Sequence, residues 1–230
     1  MNKFSIQSFI QDTAQDDSKH SFFELEKPHL LELNLDNQSV MIKKGAMVAY
    51  TGNVKFTREG ILSKGVGNLL KKAVSGEGTT MMETKGSGRV YIADSAKRIR
   101  ILYLENDIIN VNGNDVLAHE SAIKSDIKMM TSVGSIIGGG LFQVKLQGTG
   151  HIAIGTHGEP LTLLVKPGQP VFTDPNATVA WSGNLTPTIK TDISLKTFVG
   201  RGSGESIQMM FEGDGWVIVQ PYEELFIASK

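Results

Sequence analysis

Alternating apolar and polar residues mark three segments of this chain, and each alternation follows a Gly-x-Gly sequence. An apolar residue at every second position is typical of a strand that buries one face. A short strand-like run precedes each glycine pair, and glycine adopts positive φ at little steric cost, so the spacing predicts a hairpin turn at each pair. The alternating segments are Gly86–Ile92, Gly148–Ile154 and Gly213–Val219, and the preceding runs are Thr80–Thr84, Phe142–Leu146 and Ile207–Phe211.

Similar sequence also recurs upstream of the glycine pairs. Three residues separate Ser75-Gly76-Glu77 from a Met-Met pair, and three separate Ser203-Gly204-Glu205 from another. The middle copy has Gly138-Gly139-Gly140 instead. The recurrence predicts an all-β chain of three tandem β-sandwich modules with one or two short helices. The modules span 30–95, 98–157 and 159–222 after an N-terminal extension, 1–29, and without a long linker they form one rigid body, 1–230. The alternative is one irregular β-sandwich with coincidental turns.

Helical periodicity is clearest between Lys64 and Val74, where five apolar residues form one stripe. Lys64, Lys71 and Lys72 stand beside or opposite that stripe. Two interpretations are open: the stripe packs on the protein's own sheet, or the basic helix lies on an anionic membrane or a protein partner. Residues 11–21 are a second candidate, for a short polar helix.

Composition and charge narrow the class of protein. The 230 residues include 23 basic and 24 acidic ones, carry a net charge of −1 and contain no cysteine. The near-neutral charge argues against a nucleic-acid partner, and the lack of cysteine excludes disulfides and a thiolate nucleophile. The first residues lack the apolar core of a secretory signal, and the uncharged stretch 129–144 is shorter than the ~20 apolar residues that span a membrane. We therefore expect a cytoplasmic protein.

The reactive side chains form no arrangement that predicts an enzyme or a bound cofactor. His151, His157 and Glu159 are near one another in sequence but lack the two histidines one residue apart of a cupin-type metal cluster. The stretch 60–65 opens like a phosphate-binding loop, but Val66 stands where its lysine belongs. The chain has no Gly-x-Ser-x-Gly sequence and no marked carboxylate pair. We expect neither catalysis nor a metal or cofactor.

The residue after each Gly-x-Gly is large and forms hydrogen bonds. Strand alternation places Arg89, His151 and Trp216 on the face opposite the apolar residues that follow them. One interpretation is that the three side chains line an inter-module surface at equivalent points. The other is that they cover unrelated surface, since their chemistry differs.

Five sequence blocks, in order, resemble those of the altered-inheritance-of-mitochondria (AIM-type) family. The resemblance covers about 30–222 and implies a β-sandwich fold similar to that of the tryptophan RNA-binding attenuation protein, with three modules per chain. It also implies homotrimers in which nine modules close a ring, no catalytic residues, and no settled activity for bacterial relatives. The blocks are Gly45–Val54, Leu69–Lys72 with Ser75–Gly78, Val116–Glu120, Gly148–Gly150 and Gly215–Pro221.

Three hypotheses about function follow. The first is a non-enzymatic, ring-forming scaffold or interaction protein, near a membrane if the helix at Lys64–Val74 binds one. Tandem β-modules leave an open sheet edge at each end, and head-to-tail cyclic assembly pairs those edges without growing into a fibre. The second is a small-molecule-binding module with its ligand between adjacent modules. The third is RNA binding by fold analogy, which the charge does not favour.

Overall fold

The computed structural model describes residues 4–18, 20–58, 81–129, 142–191 and 207–223. Within these ranges the chain is mostly β, with one α-helix, α1 (Ile6–Thr13), and a 3-10 turn at Gly113–Asp115. The strands are β1 (Phe23–Lys27), β2 (Leu30–Lys43), β3 (Met47–Arg58), β4 (Met81–Ile92), β5 (Arg98–Asn112), β6 (Val116–Glu120), β7 (Lys124–Met129), β8 (Phe142–Thr156), β9 (Leu161–Val165), β10 (Val171–Thr173), β11 (Thr178–Ser182), β12 (Thr188–Thr191), β13 (Ile207–Phe211) and β14 (Gly215–Val219).

The strands form one sheet of eleven strands and one of three, and every recorded strand pair is antiparallel. The order in the large sheet is β3-β4-β2-β6-β8-β5-β11-β14-β9, with β1 added to β2 and β7 added to β8. The small sheet has the order β10-β13-β12. The prediction of an all-β chain is therefore confirmed at the level of a mostly β protein with large antiparallel sheets.

Each Gly-x-Gly segment adjoins strands that have antiparallel partners on both sides. β4 lies between β2 and β3, and β8 lies between β5 and the pair β6 and β7. In the last copy, β14 lies between β9 and β11, while β13 lies between β10 and β12. We call these sets the first strand group (β2–β4), the second (β5–β8) and the third (β9–β14). The finer prediction of three tandem sandwich modules stays a prediction.

The predicted hairpins at the glycine pairs are wrong. Gly86 to Gly88 lies inside β4, and Gly148 to Gly150 lies inside β8, so the chain continues as one strand. The segment around Gly213 does separate two strands, but β13 and β14 pair in different sheets. At Gly88 the φ angle is +151°, and a Cβ atom there would overlap the carbonyl oxygen of Thr51 on β3. Glycine is needed here for the close approach of a neighbouring strand and not for a turn.

The N-terminal helix covers Ile6–Thr13 and not 11–21. Ser5 explains the early start, because its hydroxyl accepts a hydrogen bond from the Ser8 amide at 3.1 Å and so caps the first turn. No helix in the described ranges is long and apolar enough to cross a membrane. The predicted helix Lys64–Val74, with Lys64, Lys71 and Lys72, lies outside the described residues, as do Ser75–Glu77, Gly138–Gly140 and Ser203–Glu205.

Apolar side chains form three buried clusters, two of which join neighbouring strand groups. Each fully buried aliphatic side chain contributes roughly 1.5–3 kcal/mol relative to exposure. The first cluster joins β1 and the first group to the second group, the second joins the second group to the third, and the last lies within the third. Fully or almost fully buried members include Leu31, Leu33, Val90 and Ala153 in the first, Ile109, Leu146, Ile152 and Ala180 in the second, and Trp181, Met209, Phe211 and Val217 in the last.

Candidate functional site

The two junctions between consecutive strand groups use the same strand register. At the first junction, 40–42 of β2 pair with 118–120 of β6, and Met41 is opposite His119. At the second, 109–111 of β5 pair with 180–182 of β11, and Asn110 is opposite Trp181. In each junction, both paired stretches lie at the same register distance from the glycine pair of the neighbouring strand in their own group. The two junctions are therefore equivalent. One mode of edge pairing therefore joins the groups twice within a single chain.

β3, β6 and β11 each have a shift in strand register near their start, at the same position in all three. The equivalence between these strands therefore holds residue by residue. The shift falls between Met47 and Ala49 in β3, between Val116 and Ala118 in β6, and between Thr178 and Ala180 in β11. In every group an alanine follows the shift, and the next residue is large. That large residue is Tyr50, His119 or Trp181.

The outer edges of β3 and β10 are equivalent to the strand edges that meet in the two junctions, and both carry exposed aromatic residues. β3 ends the path of the large sheet and β10 ends the small one, and no strand among the described residues pairs with their outer edges. By register, Tyr50 of β3 corresponds to His119 and Trp181, while Phe172 of β10 corresponds to Met41 and Asn110. Tyr50 and Phe172 are 48% and 50% exposed, whereas His119 and Trp181, inside the junctions, are 2% and 1% exposed.

The groove between the first and second strand groups, which we call the first groove, is filled by β1. Phe23 is opposite Leu33 of β2, and its ring stacks on His151 with centroids 5.5 Å apart and planes at 19°. The Asn34 amide donates to the Phe22 carbonyl at 3.0 Å, and the Asn34 side chain donates to the Ser21 carbonyl at 2.9 Å. The segment before β2 therefore adds a strand to the sheet and places an aromatic ring in the groove.

The groove between the second and third strand groups, the second groove, is open and encloses about 780 Å³. Leu102 is opposite Ile152 as Leu33 is opposite Val90, so Leu102 is the counterpart of Leu33. Trp216 directly follows the second glycine, as His151 does, and is the counterpart of the histidine on which Phe23 stacks. The lining has an apolar base and a polar rim, and its main members are Leu102, Leu104, Ile109, Trp216 and Ile218, with Asp107 and Asn184 at the rim.

His151 and Trp216 have matching local contacts at these grooves. The His151 amide donates to the Glu120 carboxylate at 2.8 Å, and the Trp216 amide donates to the Ser182 hydroxyl at 3.2 Å. Glu120 and Ser182 are equivalent by register. The His151 ring also contacts Glu120, with Nδ1 2.6 Å from Oε1.

Arg89, the third residue of this predicted set, lies on the outer face of the first group. Its guanidinium forms an ion pair with Asp17 of the N-terminal segment and lies 3.5 Å from the Glu32 carboxylate. The hydrogen bond from Arg89 lowers the pKa of Asp17, and burial raises the pKa of the neighbouring Tyr91 hydroxyl. The three residues therefore occupy three different places: His151 at the first groove, Trp216 at the second, and Arg89 under the N-terminal segment.

The residues considered for a metal are not brought together. Glu159 forms ion pairs with Arg98 and Arg100, and the His157 ring packs on Tyr222 with centroids 4.4 Å apart. In the part of the chain that the structure describes, no three histidine, aspartate or glutamate side chains are grouped closely enough to hold a metal ion.

Tyr50, Phe172 and Phe23 were not among the candidate residues predicted from the sequence. The signal for Tyr50 is present in the sequence: when β3, β6 and β11 are aligned, a large residue follows an alanine in each, at 49–50, 118–119 and 180–181. Phe172 follows from the same alignment once the strand register is known. Nothing in the repeat points to Phe23, because β1 precedes only the first group.

The structure thus defines a mostly β protein whose strand groups join edge to edge and leave matching edges at β3 and β10. Residues 23–222 match the family described as mitochondrial biogenesis AIM24, and the chain belongs to that family. The predicted AIM-type membership is confirmed, while the likeness to the attenuation protein stays a prediction. A crystal structure of protein SPYM3_0169 from Streptococcus pyogenes is similar, with a TM-score of 0.67 and 26% identity over 87% of this chain and 92% of that one. No curated protein matches the chain.

Proposed function

We propose that this protein is a non-enzymatic scaffold that assembles head to tail into a closed ring through β3 of one copy and β10 of the next. The observation that carries the proposal is the repeated register of the two junctions between strand groups. Applied once more, that register places Val171, Phe172 and Thr173 opposite Thr51, Tyr50 and Ala49 of a neighbouring copy. Three copies per ring is the number that the family resemblance implies.

Edge chemistry supports this assembly. An unpaired strand edge is a template for another chain, and proteins usually protect it with lysine, proline or a bulge. At these edges Tyr50 and Phe172 present half-exposed aromatic rings, at positions that the junction register would bring opposite each other. Cross-strand aromatic pairs contribute roughly 0.2–1 kcal/mol beyond an alanine pair, so this contact adds to the main-chain hydrogen bonds of the new junction.

The junction can be tested by disulfide crosslinking, because the chain has no native cysteine. Directly opposite residues in antiparallel strands have Cβ atoms roughly 4.5–5.5 Å apart, close to the range that a disulfide bridges. The double variant Tyr50→Cys with Phe172→Cys should form covalent multimers under mild oxidation, visible on non-reducing gels. Tyr103→Cys with Phe172→Cys is the matched control, since Tyr103 is also exposed but lies on β5. Equal crosslinking of both pairs, or of neither, would contradict the junction.

A membrane role would depend on Lys64, Lys71 and Lys72, outside the described residues. Liposome sedimentation tests membrane binding independently of the ring. The unmodified protein should pellet with anionic vesicles, and the double variant Lys71→Glu with Lys72→Glu should not. If both forms pellet equally, the proposed membrane binding through these lysines is wrong, and the scaffold proposal is unaffected.

A second candidate function is a binding module with its ligand between adjacent strand groups. The open second groove, with an apolar base and polar rim of the size that organic ligands occupy, supports this candidate. Native mass spectrometry of freshly purified protein should then show a mass above that of the bare chain. A bare mass in repeated preparations would argue against a small molecule that copurifies.

A further inference from the structure

The second groove matches a groove that the protein already fills with its own chain. We propose that the second groove binds an extended peptide, which adds as a strand to the outer edge of β5 and inserts an aromatic side chain over Trp216. The proposal concerns a different surface from the ring junction and does not depend on it.

The first groove shows how such a peptide binds. β1 pairs with the first half of β2, while the second half of β2 pairs with the next strand group. β5 is built in the same way: its second half pairs with β11, and its first half pairs on one side with β8. On the other side of that first half, the Ile99 amide donates to the Pro28 carbonyl at 2.9 Å, and no strand among the described residues pairs with the remainder. Extended peptides commonly bind to such an edge by strand addition.

Chain connectivity explains why, within the described residues, the first groove holds a strand and the second does not. β1 precedes β2 and is an additional strand that the N-terminal segment supplies before the first group. The residues before β5 instead connect directly to β4 through 93–97, so they provide no extra strand. The occupant of the second groove must therefore come from elsewhere.

The side chains around the second groove indicate the chemistry of the peptide. The residue opposite Leu102 takes the place of Phe23, and Trp216 replaces the imidazole on which Phe23 stacks, so an aromatic residue fits there. Two residues further along, the peptide reaches Arg100, the counterpart of Leu31. The Arg100 guanidinium already forms an ion pair with Glu159, so its charge is matched within the protein. The peptide therefore needs no acidic residue at that position, and the aromatic residue over Trp216 is its main anchor.

The test uses a fluorescently labelled peptide with the sequence of residues 20–27, His-Ser-Phe-Phe-Glu-Leu-Glu-Lys. Fluorescence polarisation with the full-length protein should show saturable binding. Replacing the second phenylalanine of the peptide by alanine should weaken binding at least about 10-fold, the loss typical of a buried aromatic anchor. Replacing its leucine by glutamate should leave binding within about twofold, because Glu159 already pairs with Arg100.

Protein variants identify the groove. Trp216→Ala and Thr162→Arg should each weaken binding at least about 10-fold; Thr162 is exposed and lines the second groove, so its replacement blocks the groove without opening the core. His151→Ala removes the ring on which Phe23 stacks in the first groove, and in the second it removes only a contact with the exposed Tyr103 ring, so the affinity should stay within about twofold of the unmodified protein. Loss of binding in His151→Ala with retention in Thr162→Arg would mean that the peptide exchanges with β1. That result, or no binding to the unmodified protein, would overturn the proposal.

Discussion

The Lys97 ammonium lies 2.6 Å from the Asp115 carboxylate, and both side chains are buried, with 4% and 1% of their surface exposed. Lys97 belongs to the connection between β4 and β5, and Asp115 belongs to the 3-10 turn between β5 and β6. The same ammonium donates to the Asn114 carbonyl at 3.1 Å. This ion pair ties the link between the first two strand groups to the turn that starts the first junction.

Replacing Lys97 should destabilise the protein strongly. Lys97→Met removes the ammonium and leaves a buried carboxylate, which typically costs about 3–5 kcal/mol. The free energy of unfolding in urea, followed by circular dichroism, measures the effect. Lys128→Met is the matched control: its ion pair with Asp126 is exposed and 3.9 Å long, so the expected change is within about 1 kcal/mol. Similar losses in both variants would contradict a special role for the buried pair.

Two glycines in similar conformations separate the effect of strain from the effect of crowding. Gly88 has φ +151° and Gly148 has φ +137°. A Cβ at Gly88 would overlap the Thr51 carbonyl, whereas one at Gly148 would have its nearest neighbour 3.6 Å away. Both alanine variants should lose more than about 1 kcal/mol because L residues avoid this φ, and Gly88→Ala should lose clearly more. Equal losses in thermal or urea unfolding would show that the approach of β3 does not matter.

Removing the ring of Phe23 should loosen the first groove. Phe23 is almost fully buried and belongs to the cluster that joins the first two strand groups, so Phe23→Ala should cost about 3–5 kcal/mol. Phe22→Ala should cost less, because Phe22 is only partly buried at the edge of that cluster. Urea unfolding of both variants makes the comparison. A larger loss for Phe22→Ala would mean that the anchor of β1 is the other ring.

Acid should release the N-terminal segment from the first strand group. The hydrogen bond from Arg89 lowers the pKa of Asp17 below its usual value of 3.8, so the folded carboxylate keeps its charge to a lower pH than the unfolded one. The contact is therefore fully present above the unfolded pKa and is lost as the pH falls through the folded pKa. The protection of the amides of residues 12–18, measured as their exchange rate relative to an unstructured chain at the same pH, should fall in that range, and Asp17→Asn should show the low protection already at neutral pH. Exchange in Asp17→Asn that matches the unmodified protein would contradict this contact.

The alternation of apolar and polar residues predicted which face of each strand is buried, but it did not predict how the strands are connected. Val90, Ile152 and Val217 are fully buried, as the alternation after each glycine pair indicates. The glycine pairs themselves were misassigned, because glycine serves both a turn and a close strand approach; at Gly86 and Gly88 only the position of β3 decides between the two. Strand register across the junctions, such as Met41 opposite His119, joins residues far apart in sequence. The candidate sites follow from that register, so they could not be read from the repeat alone.

Opposite charges placed at the proposed ring junction should replace its aromatic contact. Tyr50→Glu alone should weaken assembly, because a carboxylate would face the Phe172 ring of the next copy. Adding Phe172→Lys should restore assembly in part, since cross-strand opposite charges contribute roughly 0.2–1 kcal/mol. Sedimentation velocity at several concentrations compares the three proteins. A double variant that assembles no better than Tyr50→Glu would contradict direct pairing of these two positions.

Mass in dilute solution tests the ring most directly. Light scattering on a sizing column should give three times the 25.0-kDa mass of one chain for the unmodified protein. Phe172→Glu, which alters only the exposed edge of β10, should give the mass of one chain with an unchanged circular dichroism spectrum. A single-chain mass for the unmodified protein, or an unchanged assembly in Phe172→Glu, would contradict head-to-tail pairing of β3 with β10.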